Sequence, residues 1–411
     1  MKYREKRYIM YVLNEFVKMV VGNNGVLLYN NSNNVVLDLN KEQGIEIQKI
    51  LENVNQMDDK SDLLDSLLEN EWIKYSDSIV GHSDINLFSL NQVQFSDFKL
   101  SKVIIELSTS CMLDCFFCDE DEGKTYTSCT CKKWRKKEDN DVNYDDIVQQ
   151  ILRYGLDKIM VIGGDVFFDA FDKLSRFMVS LKKNSYEGEI VIVTNGTCIN
   201  KNQIDFLKQF PNVRLDLILF GGDEKTYFDV TNVKNAYKKV KKNIISLKKN
   251  NIRVNGTYLI NNRNISKIPY DLMEIGIDVG VKYVYNEQYT NMNLLLDYNG
   301  RIMSNDAITT EALEDINCCL FRQIFISSDM KVYPCPNIRK FMLGDLKKEK
   351  LFEIFSRDEY KKFWYLSKSK IDGCQECKYR TCCFDCRAIE YSVLKDLHKE
   401  YYCGNIHEDE I

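Results

Sequence analysis

The sequence predicts an α/β chain in three parts. These are a partial β/α barrel over residues 99–300, a small α+β domain of winged-helix-like pattern with its linker before it (1–98), and a cysteine-rich domain after it (301–411). Three observations predict this. Helical and strand-like stretches alternate from residue 144 to 259, which implies a parallel sheet with outer helices, open or closed into a barrel. Nine of the fifteen cysteines fall in the last quarter of the chain. And 411 residues are too many for one ordinary domain.

In the first part, NGVLLYNNSNNVVLDL (24–39) holds two apolar runs around an Asn-rich turn and reads as a β-hairpin. Two helical patterns follow: 41–54, with Ile45, Ile47, Ile50 and Leu51 largely on one face, and 60–69, with Leu63, Leu64, Leu67 and Leu68. WIKY (72–75) returns to strand propensity, and 76–98 reads as a linker.

The second part opens on a strand-like run, Val103 to Leu107, that leads into CMLDCFFC. Helices are expected over 144–154, 170–183, 201–209 and 233–250, and strands over 158–162, 189–194, 213–219 and 252–259. Such folds put their chemistry at the C-terminal ends of the strands. The residues to watch there are Gly163, Gly164 and Asp165 after one strand, Thr194 and Asn195 after the next, and Asn255 inside the last. The polar NNRN (261–264) reads as a solvated loop. An insertion, 119–143, starts acidic, carries Cys129 and Cys131, and turns basic. Its two cysteines are separated by one residue, a poor spacing for a single cluster.

Composition excludes several functions. A formal charge of −5 with interspersed signs gives no nucleic-acid or membrane surface. The N-terminus has neither an uninterrupted apolar core nor a cleavage site, so the protein is expected to be cytoplasmic. Fifteen cysteines, an odd number, without an export signal fit metal ligation better than disulfides. The three histidines, His82, His398 and His407, form no catalytic constellation, and no catalytic acid, base or nucleophile is assigned.

Cys111, Cys115 and Cys118 supply three thiolates, one short of the four that a closed site uses. An open position is what metal-based chemistry needs. Taken alone, the triplet is also compatible with zinc or disulfides. At these residues the chain resembles the radical S-adenosylmethionine (SAM) superfamily, whose CxxxCxxC loop holds a [4Fe–4S] cluster and leaves one iron for SAM; Phe117 fits the aromatic before the last cysteine. Gly163-Gly164-Asp165 stands where that family has Gly-Gly-Glu, and Thr194-Asn195-Gly196 is similar to its TNG turn. LILFGGDEKTY resembles a segment of the peptide-modifying branch, with Ile218 in place of the Ser that faces the SAM ribose there.

The C-terminal cysteines resemble the SPASM extension, a Cys–hairpin–Cys followed by CxxC and further cysteines; in isolation they also read as a zinc ribbon. The resemblance implies a (β/α)6-type partial barrel and two auxiliary [4Fe–4S] clusters. Cys319, Cys335 and Cys386 would hold the nearer one, with Cys318 or a substrate atom as fourth ligand. Cys374, Cys377, Cys383 and Cys403 would hold the outer one, with Cys382 an alternative to Cys383. Met330 stands where the family's hairpin turn has Gly. The activity implied is a peptide maturase that forms a thioether or carbon–carbon cross-link in a ribosomally made precursor. Its leader would add a strand to the N-terminal domain, and a flavodoxin or ferredoxin would act as reductant. The alternatives are an enzyme that matures a folded protein, as sulfatase-maturing enzymes do, and a partner protein that does not cleave SAM.

Overall fold

The computed structural model describes residues 10–30, 32–33, 35–52, 61–76, 99–118, 126–127, 129–134, 142–297, 302, 312–384 and 386–405. The expected linker after residue 76, the acidic start of the insertion and Arg135 to Lys137 of its basic end, His82 and His407 lie outside these residues.

The N-terminal part contains β1 (Met10–Leu13), β2 (Val17–Gly22), β3 (Gly25–Asn30), β4 (Val35–Leu39), α1 (Lys41–Glu52), α2 (Asp62–Glu69) and β5 (Ile73–Ser76). The expected hairpin is β3–β4, but β2 pairs on its other side, and β1 pairs antiparallel with β5 as a separate ribbon. Val26, Leu28, Ile47, Leu64, Leu67 and Trp72 form its core. Ser61 caps α2 by accepting the Leu64 N–H at 3.0 Å.

A nine-stranded sheet carries the rest. Six parallel strands lie side by side in chain order: β6 (Lys102–Ser108), β7 (Lys158–Gly163), β8 (Glu189–Thr194), β9 (Val213–Leu219), β10 (Arg253–Ile260) and β11 (Asp278–Tyr283). β6 to β8 are largely apolar runs buried along most of their length, as a sheet covered on both faces requires, and β9 joins them only after its ion-paired Arg214 and Asp216. The helices between them are α3 (Tyr144–Leu152), α4 (Val166–Asp169), α5 (Phe171–Lys183), α6 (Lys201–Leu207), α7 (Glu224–Thr231), α8 (Ala236–Lys249) and α9 (Tyr270–Glu274). The stretch expected as one helix from residue 170 is thus preceded by the separate turn α4, capped by Asp165. α6 opens on a reciprocal capping box between Asn200 and Gln203.

The other edge of β6 is taken by the C-terminal part. β12 (Gln323–Ile326) pairs parallel with β6, and β13 (Lys331–Tyr333) and β14 (Gly344–Asp345) follow antiparallel. The cysteine-rich region therefore shares the barrel's sheet. Met330 ends the β12–β13 turn at φ 66°, the left-handed backbone that glycine adopts freely, while its side chain is buried. The N-terminal sheet docks on the C-terminal part: Asn23 N–H donates to Glu376 O at 2.6 Å, and Tyr379 OH donates to Asp38 at 2.6 Å. A Cβ on Gly22 would sit 2.1 Å from the Lys378 nitrogen, so this contact needs glycine. Among the described residues no helix is long and apolar enough to cross a membrane.

Candidate active site

The three-cysteine loop begins where β6 ends and is held from two sides. Asp165 N–H donates to Ser110 O at 2.7 Å and Gly164 N–H to Ser108 O at 3.1 Å, while Asp114 and Phe116 N–H donate to Thr231 and Val230 O at 3.0 and 3.2 Å. A Cβ on Gly163 would lie 2.4 Å from Ser108 O, and one on Gly164 2.0 Å from Ser110 O. The two glycines thus let the backbone of the cysteine loop come close, which sets where Cys111 stands.

Cys111, Cys115 and Cys118 line a hollow together with Phe117, Gly164 and Phe220. The Cys111 sulfur accepts hydrogen bonds from Asn195 Nδ2 at 3.3 Å and Leu113 N–H at 3.4 Å. Burial pushes its thiol up to about 12, with the Asp165 carboxyl adding to the shift. Cys115 is raised well above the ordinary value by burial and then by Cys118 and Cys111. Metal binding here would therefore release protons. Among the described residues no three His, Cys, Asp or Glu side chains are gathered as a single metal ion would need.

Asp165 is fully buried. Its Oδ1 accepts from Phe167 N–H at 3.0 Å and Thr194 Oγ at 2.9 Å, and its Oδ2 has no hydrogen-bond partner. Burial raises the carboxyl from 3.8 to about 6, against the pull of those hydrogen bonds. An unpaired buried carboxylate oxygen costs free energy, which a cationic or N–H donor placed there would recover.

Gly163, Gly164, Asp165, Thr194, Asn195 and Phe117 thus come together around the thiols. Asn255 does not. It sits in the first half of β10, opposite Asp216 on β9, and its amide, with the oxygen towards Arg214, lies 3.1 Å from Nη1. A strand's alternation fixes which face a residue takes, not which end of the sheet it occupies. The NNRN segment is also not a solvated loop. Asn261 and Asn264 are fully buried, with Asn264 Nδ2 donating to Phe220 O at 3.0 Å, and the Arg263 guanidinium stacks 3.8 Å from the Phe116 ring centre. Ile218 packs in the core, where β9 offers no hydroxyl.

Sequence reasoning missed Glu106 and Arg339. Glu106 is wholly buried on β6. Its Oε1 accepts Arg339 Nη2 at 2.5 Å, and its Oε2 accepts Arg339 Nη1 at 3.2 Å, Ser328 N–H at 3.1 Å and Ser328 Oγ at 2.9 Å. The guanidinium lies 3.7 Å from the Trp134 ring centre. The one signal was a Glu inside the apolar run VIIELS.

The C-terminal thiols are spread over several contacts. Cys335 is buried and packs with Cys386 on the barrel's core. Cys374 lies 3.8 Å from Lys368 Nζ beside Leu366 and Ile371, and the Cys377 sulfur accepts from Asn24 and Asn405 at 3.5 and 3.7 Å. Cys382 is enclosed with Tyr29 and Tyr379, and burial pushes it up to about 11. The tail that brings Cys403 back is fixed by Glu400, paired with Lys368 at 2.9 Å and with Arg387, and by Glu390, which accepts Tyr401 and Tyr402 N–H at 2.7 and 3.0 Å.

The first strand of the parallel sheet thus leads into a loop with three cysteines, and the sheet's other edge is joined to a cysteine-rich extension. Residues 105–272 match the Radical SAM superfamily and residues 318–378 match SPASM, an iron-sulfur cluster-binding domain. The chain belongs to the radical SAM superfamily and carries a SPASM domain. No curated protein matches it.

Among solved structures it is similar to SuiB of Streptococcus suis bound to S-adenosylmethionine, at 16% identity and a TM-score of 0.53 over 96% of this chain and 100% of that one. SuiB bound to its precursor peptide SuiA gives 15% identity and a TM-score of 0.55 with the same coverage. The protein anSMEcpe with bound AdoMet and the Kp18Cys peptide gives 18% and 0.55 over 75% of this chain and 95% of that one. At these identities the likeness is one of fold.

Proposed function

We propose that the chain is a radical SAM peptide maturase that cross-links a ribosomally made precursor peptide by a thioether or carbon–carbon bond. The observation that carries this reading is the joint presence of the three-thiol hollow beside the orphan Asp165 Oδ2 and an N-terminal sheet with a free edge. Among the described residues β4 pairs as a strand only with β3, and Val35 and Val36 on it are exposed, while Leu39 O at its far end accepts Lys378 Nζ. Such an edge can accept an extended peptide as a further strand. The match to SuiB spans 96% of the chain and so reaches into this N-terminal part, whereas that to anSMEcpe spans 75%. SuiB bound to its precursor peptide SuiA aligns over the same 96%, which supports a leader-bound precursor here.

In this reading Cys111, Cys115 and Cys118 hold a [4Fe–4S] cluster, and Asp165 Oδ2 accepts the SAM amine. When bound, cluster and SAM supply a 5′-deoxyadenosyl radical, which removes a hydrogen atom from a substrate carbon. The protein's own part is to hold and shield. Asn195 donates to the Cys111 sulfur, Thr194 fixes the Asp165 rotamer, and the Arg263–Phe116 stack covers the loop. The test is 5′-deoxyadenosine formation by the anaerobically reconstituted, reduced protein. None from protein shown to carry its clusters would move the reading to a partner that does not cleave SAM.

Asp165 adds a pH prediction. Its raised value means that the buried acid favours the fold below 3.8, and that this contribution, about 3 kcal/mol, is lost as pH rises through about 6. An ammonium at Oδ2 needs the ionised form, so SAM affinity should rise with pH through about 6. Asp165→Asn should weaken SAM binding by roughly 10- to 100-fold at pH 7.5, the worth of a charge-assisted hydrogen bond, and flatten the profile. Calorimetric titration with SAM reads both, and an unchanged profile would remove Asp165 from the site.

A further inference from the structure

The insertion between β6 and α3 is stitched across the gap between the barrel's thiols and those of the C-terminal domain. On the C-terminal side Thr127 O accepts from Asn337 Nδ2 at 3.2 Å, two residues past Cys335, and Tyr126 O accepts from Tyr285 N–H at 2.5 Å. Lys282 Nζ donates to Cys129 O at 3.3 Å. On the barrel side Lys132 N–H donates to Gly163 O at 2.9 Å and Trp134 N–H to Thr109 O at 3.2 Å. Between Thr127 and Lys132 the described residues are Cys129, Thr130 and Cys131, and Thr130 Oγ is bonded back to Thr127 Oγ at 2.8 Å.

The two thiols of this strap go to different places. Cys131 lines the hollow of Cys111, Cys115 and Cys118, and after burial those three thiols are its leading electrostatic neighbours. Cys129 instead lies two residues past Thr127, whose carbonyl is bonded by Asn337 two residues past Cys335, and packs against the core in which Cys335 is buried. The Cys335 thiol is pushed well above its ordinary value by burial, then by Cys129, Cys386 and Cys319 in that order. All of Cys129, Cys131, Cys335 and Cys386 pack on the same core.

We propose that Cys129 is the fourth protein ligand of the nearer auxiliary cluster, completing the set Cys319, Cys335 and Cys386 from outside the C-terminal domain. This rests on the auxiliary-cluster part of the functional reading. It accounts for the single-residue spacing of Cys129 and Cys131, which suits no single cluster because the two thiols serve two sites. It also assigns the fourth position to the insertion instead of to Cys318. A fourth protein thiolate leaves no place on that cluster for a thiolate of the substrate.

The test uses full-length protein in which Cys111, Cys115 and Cys118 are Ala, so that only auxiliary clusters remain, reconstituted anaerobically with iron and sulfide. Cys129→Ala and Cys318→Ala are compared in that background. The proposal expects Cys129→Ala either to lose up to about four irons per chain or to give a reduced electron paramagnetic resonance signal that shifts on adding imidazole, with Cys318→Ala doing neither. In the metal-free wild-type chain a short bis-thiol alkylator should join Cys129 to Cys335, as read by peptide mass mapping. An unaltered signal in Cys129→Ala, or the same change in Cys318→Ala instead, overturns the proposal and leaves the auxiliary clusters standing. A background protein that binds no iron overturns both together.

Discussion

Replacing Cys111, Cys115 and Cys118 together by Ala is expected to abolish 5′-deoxyadenosine formation and to leave about eight of about twelve irons per chain, the content of two auxiliary four-iron clusters. The loss is total because each substitution removes a ligand and because Asn195 Nδ2 and Leu113 N–H, which bond the Cys111 sulfur, would be left facing a methyl group. The rest of the iron should stay because its thiols are fixed independently. Asn317, which donates to Leu366 O at 2.9 Å and accepts Cys319 N–H at 3.0 Å, orders the start of that domain. Glu400 and Glu390 order its end. The loop itself should keep its course, since it is held by backbone hydrogen bonds to Ser110, Val230 and Thr231. Iron assay beside product chromatography checks both halves. Loss of all iron would mean that the three sites assemble as one unit, and product from the triple variant would mean that the chemistry lies elsewhere.

The core of the fold was legible where burial writes itself into the sequence. β7 and β8 are apolar runs because both faces of a covered parallel strand are buried, and the helices carry capping residues at readable offsets. β11 was not legible. DVGVKY lies at the sheet's edge, half exposed, so it lacks an apolar run. β1 and β2 were missed for a related reason: β1 is a four-residue ribbon whose partner, β5, comes 60 residues later.

The site divides the same way. Three thiols within eight residues are a local pattern, and so are Gly163-Gly164-Asp165 and Thr194-Asn195. Cys129 was seen as a cysteine without a partner because its neighbour Cys335 lies 206 positions away by their residue numbers. Asn255 was misplaced because a strand reads the same at either end. Glu106 and Arg339, 233 residues apart, meet only once β12 has paired with β6.

That pair yields the largest expected effect on the fold. Glu106→Ala should cost about 3–5 kcal/mol, because it leaves the Arg339 charge buried without its counter-ion and removes the acceptor for Ser328 N–H and Oγ. Arg339→Ala should cost a similar amount and also lose the stack on Trp134. With several domains and clusters a single melting point is not a clean readout, so the effect is better followed by native-state hydrogen exchange of the amides in β6 and β12. A destabilisation of this size corresponds to a fall in protection of roughly two to four orders of magnitude.

Glu106→Leu with Arg339→Met should recover most of the loss, since apolar residues of similar volume often replace a buried ion pair at little cost. If the two single changes instead add in the double variant, the residues are not coupled and the pairing is incidental. The consequence for function follows from Trp134, whose N–H holds Thr109 O at the start of the cysteine loop. Releasing Arg339 loosens Trp134, and with it the segment that carries Cys131 and Lys132 over the hollow, so single variants that still fold should bind SAM more weakly without losing any of its ligands.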